Sequence, residues 1–332
     1  MLILIRCDAS AAIGLGHLRR CLSLAVALRA AGADVRLALR RRDLDAVAIA
    51  EAEGFAAKLL PLADGATAED DADADAFAGL WPGEPVAAVV VDHYQLDARW
   101  HGRVRRQLGC PVAVIDDLAD RTLDADLLID HNFVPAPGHR ARYAACLQRP
   151  PGAWLCGPRF ALLGPAYAAA AAFEVADTVR SIGIFLGGTD PAGLSAGVLQ
   201  ACRRDAGFTG PIEVVSTHGN PGLDALRAAV AADPQARLSL DLPDLAAFNA
   251  RHDLQIGAGG GATWERCCVG VPALTLCVAD NQRAVIPALA ALGALVTTPD
   301  NRPSSIGAAL RPLLASRAQR LALSRAAQAL VD

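Results

Sequence analysis

The sequence has few of the residues that form a nucleic-acid-binding surface. Lys58 is the only lysine among 332 residues, and aromatic residues make up 5% of the chain. Basic and acidic side chains number 31 and 35, which gives a formal net charge of −4. Binding to nucleic acid requires clustered positive charge, so this balance predicts no nucleic-acid partner.

Several patterns typical of metal-dependent and covalent catalysis are also missing. The nine cysteines contain no C-x-x-C pair, and we interpret them as thiols of a reducing compartment. The zinc-protease pattern H-E-x-x-H, the nucleophile elbow G-x-S-x-G and the phosphate loop G-x-x-x-x-G-K-[ST] do not occur. We therefore expect chemistry that needs neither a metal nor another cofactor.

Long hydrophobic runs are absent too. The apolar start, Met1–Ile5, reaches Arg6 at once, which is far too short for a signal-peptide core or a membrane span. We expect a cytoplasmic protein without membrane insertion. Hydrophobic residues nevertheless make up 53% of the chain, which is enough for packed cores, and the length suits two domains.

Short apolar runs alternate with segments rich in alanine and leucine, as in parallel α/β sheets covered on both faces. A helix is predicted from Gly16 to a stop at Gly32, and another from Ser304 to the end. Residues 134–165 lack a clear period, so we predict domains at 1–150 and 151–332. The predicted strands are Leu2–Ile5, Val35–Leu39, Ala57–Leu60, Val86–Val91, Val112–Ile115, Ser181–Leu186, Ile212–Ser216, Leu238–Leu240, Leu254–Ile256, Ala273–Leu276 and Ala294–Thr297.

Two charged stretches are interpreted as solvated surface. Asp64–Ala78 is rich in aspartate, but Ala76 and Pro82 stand where a calcium loop needs glycine and glutamate. It therefore predicts an acidic surface loop. The basic cluster formed by Arg36 and Arg40–Arg42 is likewise predicted to be a solvated face.

The first candidate site follows the first strand, where Gly14 and Gly16 precede His17. Glycines at the start of a helix let an anionic group approach free amides. A dinucleotide fingerprint would have glycine at Arg19, which weakens a nicotinamide-dependent dehydrogenase interpretation without excluding it. The helix dipole disfavours the imidazolium form of His17, so this histidine can act as a general base. The alternative is a histidine that caps or packs beneath the turn.

A second glycine-rich turn lies in the second half, at Gly257–Glu265. Its amides suit a phosphate, and Glu265 could accept hydrogen bonds from ribose; the alternative is a tight turn with a glutamate on the helix surface. Two further turns follow strands. Gly187–Pro191 fits a cap by Asp190, compatible with a place in a cleft, and Asn281–Gln282 offers amides either to sugar hydroxyls or to a helix end.

Polar residues also end the fourth and fifth predicted strands, at Asp92–Tyr94 and at Asp116–Asp117. Ligands of open α/β sheets lie at this edge. Tyr94 could hydrogen-bond a sugar; equally, Asp92 could cap the turn while Tyr94 packs beside it.

Together these motifs resemble the GT-B architecture of nucleotide-sugar enzymes, which includes the murein transferase that uses UDP-N-acetylglucosamine. Within that group they are most similar to the UDP-2,4-diacetamido-2,4,6-trideoxy-β-L-altropyranose hydrolase family of pseudaminic acid biosynthesis. His93 departs from that family's pattern, which commonly has a second acidic residue there. The matching segments run in order along nearly the whole chain: Arg6-x-Asp8, Ile13–His17 with Arg20, Asp92-x-Tyr94, Asp116–Asp117, Gly187–Pro191, Gly259–Glu265 and Ala279–Gln282.

The resemblance implies two Rossmann-like parallel-sheet domains facing an interdomain cleft. It implies inverting hydrolysis of a UDP-sugar between the anomeric carbon and the UDP oxygen, without a cofactor, with His17 activating the water. The amides of Gly259–Gly261 would bind the diphosphate, Glu265 the ribose and the backbone at Leu242 the uracil. The other implied substrate-binding residues are Arg6, Asp8, Gly14, Gly16, Arg20, Tyr94, Gly187, Gly188, Asp190, Thr263, Asn281 and Gln282.

Two other functions remain open at this point. A GT-B glycosyltransferase would use the same UDP-sugar as a donor, and a non-catalytic protein would only bind it. We expect a small-molecule UDP-sugar as the partner and a monomer as the assembly.

Overall fold

The computed structural model describes residues 1–10, 13–61, 71–170 and 173–331. The chain forms two compact units, and the second begins at Pro165. The division falls inside the predicted boundary segment but later than 150, because a strand at Ala153–Cys156 pairs with the sheet of the first unit.

The first unit contains, as far as it is described, a seven-stranded parallel sheet in the order β3-β2-β1-β4-β5-β6-β7. Its strands are β1 (Leu2–Cys7), β2 (Asp34–Leu39), β3 (Ala56–Leu59), β4 (Val86–Asp92), β5 (Val112–Ile115), β6 (Leu127–Asp130) and β7 (Ala153–Cys156). Its helices are α1 (Gly16–Ala30), α2 (Ala46–Ala52), α3 (Asp71–Ala78), α4 (Ala98–Leu108) and α5 (His139–Tyr143), with a 3₁₀ turn at Pro158–Phe160.

Both faces of this sheet are covered by helices. Alternate residues of a strand point to opposite faces, and in β1 Leu4 and Ile5 belong to two different hydrophobic clusters. Leu18 and Leu22 of α1 pack with Ile5, whereas Phe77 of α3 packs with Leu4. The continuous apolar runs of the sequence therefore correspond to strands buried on both sides.

The second unit repeats this architecture, and its described strands follow the order β10-β9-β8-β11-β12-β13, all parallel. They are β8 (Ile182–Phe185), β9 (Ile212–Ser216), β10 (Ala236–Leu240), β11 (Leu254–Ala258), β12 (Ala273–Leu276) and β13 (Val296–Thr297). The helices are α6 (Pro165–Ala168), α7 (Ser195–Gln200), α8 (Leu223–Ala231), α9 (Ala246–Ala250), α10 (Gly261–Val269), α11 (Val285–Ala291), α12 (Pro303–Ala315) and α13 (Arg317–Gln328). Ala201–Asp205 extends α7 as a π-helix, and Asp280–Gln282 is a 3₁₀ turn.

The predicted strands and the helix at Gly16 are confirmed, with ends that differ by at most two residues, while other predictions were wrong. Strands β6 and β7 were not predicted. The last helix is two helices, because Ser316 adopts an extended backbone and its hydroxyl accepts a hydrogen bond from the Gln319 amide at 3.2 Å. This serine caps α13.

The aspartate-rich stretch also differs from the prediction of a solvated loop. Residues 62–70 lie outside the described part, but Asp71–Ala78 is the helix α3. Asp73 is fully buried. Its carboxylate accepts hydrogen bonds from Arg6 at 3.0 Å and from the Trp100 indole at 2.9 Å. These partners replace the water that a buried carboxylate loses.

The strand order places a crevice at one edge of each sheet. In the first sheet the chain adds strands outward from β1 to β3 on one side and then from β4 to β7 on the other. In the second sheet it does the same from β8 to β10 and from β11 to β13. Loops diverge beyond the carboxyl ends of the strands at such a switch point, and ligands of open α/β sheets bind there. The two positions are β1/β4 and β8/β11.

Candidate functional site

A cavity of about 370 Å³ lies at the carboxyl ends of β1 and β4 in the first unit. Three of the predicted site residues line it, together with six neighbours that the prediction did not include as site residues. The predicted ones are Asp8, His17 and Tyr94; the others are Ser10, Ile13, Arg42, Asp92, His93 and Gln95.

His17 lies in the first turn of α1 and is paired with a carboxylate. Its Nδ1 is 2.6 Å from an oxygen of Asp92, the last residue of β4. A carboxylate only accepts at this distance, so Nδ1 carries the hydrogen and Nε2 is left as the basic nitrogen. Asp92 therefore orients His17 and does not cap the turn, which was the alternative interpretation.

Arg20 holds Asp92 in place from the next turn of α1. Its Nε and Nη2 donate to the two carboxylate oxygens at 2.5 and 2.6 Å, which is a bidentate pair. Asp92 is fully buried, and burial alone would raise its pKa. The charge of Arg20 and the contact with His17 outweigh burial and hold the pKa of Asp92 well below its usual range. Asp92 is thus a permanent anion beside the imidazole.

Tyr94 completes the surroundings of the imidazole. Its ring meets that of His17 edge to face, with ring centroids 4.5 Å apart. Burial and the nearby Asp117 carboxylate raise the pKa of Tyr94, so its hydroxyl stays protonated. Asp117 also lies 3.6 Å from Nη1 of Arg20. Because the phenol is hydrogen-bonded to Asp117, its oxygen remains able to accept a hydrogen bond from a sugar hydroxyl.

Asp8, which follows β1, is the second carboxylate of the cavity. It accepts from Arg6 Nη1 at 2.5 Å and from the Arg40 amide at 2.9 Å. The charge of Arg6 outweighs the burial of Asp8 and lowers its pKa well below the usual range. Arg6 itself is fully buried between Asp8 and Asp73 and does not line the cavity. It positions Asp8, in place of the direct substrate contact that was predicted.

His93 is a neutral donor at this wall. Its Nδ1 accepts from the Gln95 amide at 3.0 Å, so Nε2 carries the hydrogen and donates to Asp8 at 3.3 Å. Burial lowers the pKa of His93, although Asp8 opposes this. His93 thus contributes a hydrogen-bond donor to Asp8 and no negative charge.

The basic cluster was only partly predicted correctly. Arg36 pairs with Asp34 and Glu84 at the surface. Arg40, in contrast, is 6% exposed, and Arg42 lines the cavity with Nη2 3.4 Å from Asp8. The chain crosses beside Asp8 after β2, because β2 neighbours β1 in the sheet. A charge run alone does not reveal this position.

The two predicted glycines before His17, Gly14 and Gly16, differ in backbone conformation and contacts. Gly14 has φ +81°, and its amide donates to the Ser10 carbonyl at 2.7 Å, closing the turn before α1. Gly16 opens α1, and no side chain of the described residues caps this helix. Amides at an uncapped helix start can bind an anionic group.

The two aspartates that follow β5, Asp116 and Asp117, have different contacts. Asp116 accepts hydrogen bonds from the Ala119 amide at 2.8 Å, from the Tyr143 hydroxyl at 2.9 Å and from Arg121 at 2.5 Å. It is a structural residue of the loop. Asp117 is the member that reaches Arg20.

In the second unit, the glycine-rich turn follows β11 at the switch point. A side chain at Gly259 would force Gln282 to move, because a Cβ there would lie 2.8 Å from the carboxamide carbon of Gln282. Gly260 has φ +84° and precedes α10, which has no side-chain cap in the described chain. Close packing and positive φ both require glycine here, and the first amides of α10, beginning at Gly261, face no capping group.

The turn after β8 is partly as predicted. The Asp190 carboxylate accepts from the amides of Leu194 at 3.1 Å and Ser195 at 2.9 Å, so it caps the start of the helix. The helix begins at Ser195 and not at Pro191. Gly187 and Gly188 precede this cap at the carboxyl end of β8.

The remaining predicted residues fall into buried and accessible sets. Gln282 is 9% exposed, and its Oε1 accepts from the Val278 amide at 2.8 Å, so it holds its own loop. Thr263 is buried, whereas Leu242, Glu265 and Asn281 are half-buried. Tyr167 lies beside Glu265, and burial with this carboxylate raises the pKa of the phenol.

The described residues contain neither a metal-binding cluster nor a membrane-spanning helix. In 1–10, 13–61, 71–170 and 173–331, no three His, Cys, Asp or Glu side chains form a group that could hold a metal ion. Within the same ranges, no helix has both the length and the apolarity needed to cross a membrane.

Two parallel-sheet Rossmann-like units of this kind define a GT-B fold, as predicted. The fold is similar to that of Acinetobacter baumannii MurG, with a TM-score of 0.66 and 16% identity over 100% of this chain and 96% of that one. Phytolacca americana UGT2, solved with UDP-2-fluoro-glucose and pterostilbene, has a TM-score of 0.65 and 12% identity over 99% and 93%. The spinosyn rhamnosyltransferase SpnG, solved with thymidine diphosphate, has a TM-score of 0.61 and 17% identity over 99% and 96%.

The sequence itself has a partial relative. No protein-family model matches it. The spore coat polysaccharide biosynthesis protein SpsG of Bacillus subtilis is 31% identical over 140 residues, which span 42% of this chain and 41% of that protein. The match thus covers less than half of either chain.

Proposed function

We propose that this protein is an enzyme of nucleotide-sugar metabolism that hydrolyses a UDP-linked diacetamido-trideoxy sugar to UDP and the free sugar. The observation that carries the proposal is the Arg20–Asp92–His17 chain at the wall of a cavity. Support for the substrate class comes from the relatives: SpsG is named for polysaccharide biosynthesis, and UGT2 and SpnG were solved with a nucleotide sugar and a nucleoside diphosphate.

In this proposal His17 activates water. Nε2 takes a proton from the water as its oxygen attacks the anomeric carbon from the face opposite UDP. The bond between the anomeric carbon and the UDP oxygen breaks, and its electron pair leaves with the diphosphate, so the configuration inverts. Asp92 stabilises the imidazolium that forms, because the buried anion is 2.6 Å from Nδ1.

The nucleotide is assigned to the second unit. The uncapped start of α10 and the glycines before it offer amides to the diphosphate that leaves. Glu265 would accept hydrogen bonds from ribose, and the backbone near Leu242 would meet the uracil. Asp8, His93 and Tyr94 are assigned to the sugar, since all three are polar residues that line the cavity.

A glycosyltransferase is the second candidate, because MurG, UGT2 and SpnG share the fold and SpnG is a rhamnosyltransferase. A transferase would use the same donor and the same base, but the proton would come from an acceptor hydroxyl. A protein that binds the nucleotide sugar without turnover is the third. The three differ in what they release when water is the only acceptor.

The test is UDP release from the UDP-diacetamido-trideoxy sugar in buffer without an acceptor. We expect multiple turnovers by the unaltered protein and at least an approximately hundredfold loss of turnover in His17→Ala, with UDP affinity changed little. Arg19→Ala is the matched control, since Arg19 lies on the same helix and pairs with Glu53 at the surface. Stoichiometric or no release by the unaltered protein would contradict hydrolysis, and unchanged turnover in His17→Ala would contradict the assigned base.

A further inference from the structure

The second unit buries an arginine beneath its glycine-rich turn. Arg266, in α10, is 3% exposed. Its Nη2 donates to the Ala258 carbonyl at 2.7 Å and lies 3.4 Å from the hydroxyl oxygens of Thr263 and Thr275. Its Nε is buried and has no hydrogen-bond acceptor. The guanidinium thus has one good acceptor for five N–H groups.

No carboxylate neutralises this charge. Arg266 forms no ion pair in the described part of the chain, whereas the buried Arg6 pairs with Asp8 and Asp73, and Arg20 with Asp92. Burial lowers the pKa of Arg266 to about 10, although Glu265 nearby opposes the shift. The side chain is still charged at neutral pH, and a buried, unpaired cation is costly.

The charge lies at the switch point of the second sheet. Gly257 pairs with Phe185 across β11 and β8, the two strands between which the crevice opens. A Cβ at Gly257 would overlap Nη1 of Arg266, so the glycine makes room for the guanidinium against the sheet. The residue that accepts from Arg266, Ala258, is immediately followed by Gly259.

We propose that Arg266 is a positioning residue whose fixed positive charge, held under the turn Gly259–Gly261, is neutralised by the diphosphate of a bound nucleotide. It does not touch the ligand. It acts through the low-dielectric interior and through its hydrogen bond to Ala258, which fixes the turn. The inference rests on the proposed function only in that the turn binds a nucleoside diphosphate. It does not depend on hydrolysis.

The test compares the affinities for UDP and for uridine in charge-altering variants, by NMR titration. Arg266→Gln keeps a donor for Ala258 and removes the charge, while Arg266→Lys keeps the charge. We expect the glutamine variant to lose at least about tenfold in UDP affinity and less than about threefold in uridine affinity. The lysine variant should retain UDP affinity to within about threefold.

Arg320→Gln is the matched control. Arg320 is 1% exposed in the same unit, but its guanidinium donates to four backbone carbonyls, those of Ala176, Asp177, Leu313 and Leu314. Its replacement should lower the melting temperature and leave the ratio of UDP to uridine affinity unchanged. That ratio is the readout that a purely structural role would not alter.

The outcomes separate this inference from the proposed function. An unchanged affinity ratio in Arg266→Gln, or equal losses in the glutamine and lysine variants, would overturn it even if hydrolysis is observed. The predicted loss of UDP affinity in a protein that hydrolyses no UDP-sugar would support it and refute hydrolysis. An unaltered protein that binds UDP no better than uridine would overturn the role of Arg266.

Discussion

At the scale of single residues, the central feature is a histidine whose basic nitrogen is selected by its neighbours. Asp92 fixes the hydrogen on Nδ1, and Arg20 fixes Asp92 through a bidentate pair. Arg20 lies one turn after His17 on the same helix, so one element presents both the histidine and the residue that anchors its carboxylate partner. The arrangement pre-orients the imidazole before a substrate binds.

This arrangement predicts the effect of neutralising Asp92. Asp92→Asn removes the anion that orients His17 and stabilises its protonated form, so turnover should fall by about tenfold to a hundredfold or more, with UDP affinity changed less than about threefold. Steady-state turnover and a UDP titration measure the two effects. Asp116→Asn is the control, because Asp116 is equally buried at the end of the neighbouring strand but bonds its own loop. Full turnover in Asp92→Asn would contradict the assigned role.

Individual residues were predictable where local sequence decides their position. His17 was found because glycines and a helix start surround it. Asp92 was not assigned its role, because its partner lies 75 residues away and only the pairing of β1 with β4 brings them together. Arg40 and Asp73, which were predicted to be solvated, are buried for the same reason. A charged side chain in a charge run is buried or exposed according to tertiary partners.

At the scale of elements, β6 ends in a carboxyl group that titrates near neutral pH. Burial raises the pKa of Asp130 from 3.8 to about 7. The Asn132 amide, which donates a hydrogen bond to the carboxylate at 3.0 Å, lowers this pKa but does not offset burial. Between about pH 4 and 7 the folded chain therefore keeps a proton that the unfolded chain has lost. Stability attributable to this group must fall as pH rises through that window.

Asp130→Asn tests this sign. The free energy of unfolding of the unaltered protein, minus that of the variant, should decrease from pH 4.5 to 7.5 by up to about 1.4 kcal/mol per pH unit. Urea unfolding at each pH gives both values. His101 and His131, whose pKa values burial lowers to about 3, oppose the trend in each protein and cancel in the difference. Parallel stability curves for the two proteins would contradict the raised pKa.

The turn before α10 gives a second prediction at this scale. Gly259→Ala adds a methyl group that collides with Gln282, which holds the loop after β12, so the turn must shift. UDP affinity, measured by calorimetry, should fall by at least about tenfold. Gly197→Ala, inside α7 with no atom within 4 Å of the new methyl, should leave UDP affinity unchanged and stabilise by up to about 1 kcal/mol. Unaltered UDP affinity in Gly259→Ala would contradict the assignment of the diphosphate to this turn.

A helix or strand was predicted well where its own sequence has a clear hydrophobic pattern. Strands such as β4 and β5 consist almost entirely of apolar residues and were found at nearly their observed ends. Strand β6 has only three apolar residues, and β7 lies at the sheet edge in a proline- and glycine-rich segment. Both are strands because a neighbouring strand supplies their hydrogen bonds, which a single segment does not reveal. The break at Ser316 is a local cap that the helical pattern hid.

At the scale of the whole molecule, the sequence predicted the fold better than the division of the chain. Alternating apolar runs and helical segments predicted two parallel α/β units, and the GT-B fold is confirmed. The boundary was placed too early because β7 was not recognised as part of the first sheet. The near-neutral charge also has a structural counterpart, since the buried Arg6 and Arg40 lie beside the carboxylates of Asp8 and Asp73 and phosphate recognition is assigned to backbone amides.

The proposed chemistry distributes its tasks between the two units. The first holds the base, its carboxylate and the sugar cavity; the second holds the glycine-rich turn and the buried Arg266. Substitutions in the first unit should therefore change turnover more than nucleotide affinity, and substitutions in the second should do the reverse.

The measurement that tests the central claim most directly is hydrolysis of the UDP-linked diacetamido sugar in ¹⁸O-labelled water, without an acceptor. NMR follows the anomeric proton, and mass spectrometry locates the label. The proposed mechanism predicts that the label enters the sugar and not UDP, that the first sugar formed has the inverted configuration, and that His17→Ala abolishes both signals. Label in UDP, retained configuration, or no release until an acceptor is added would contradict it.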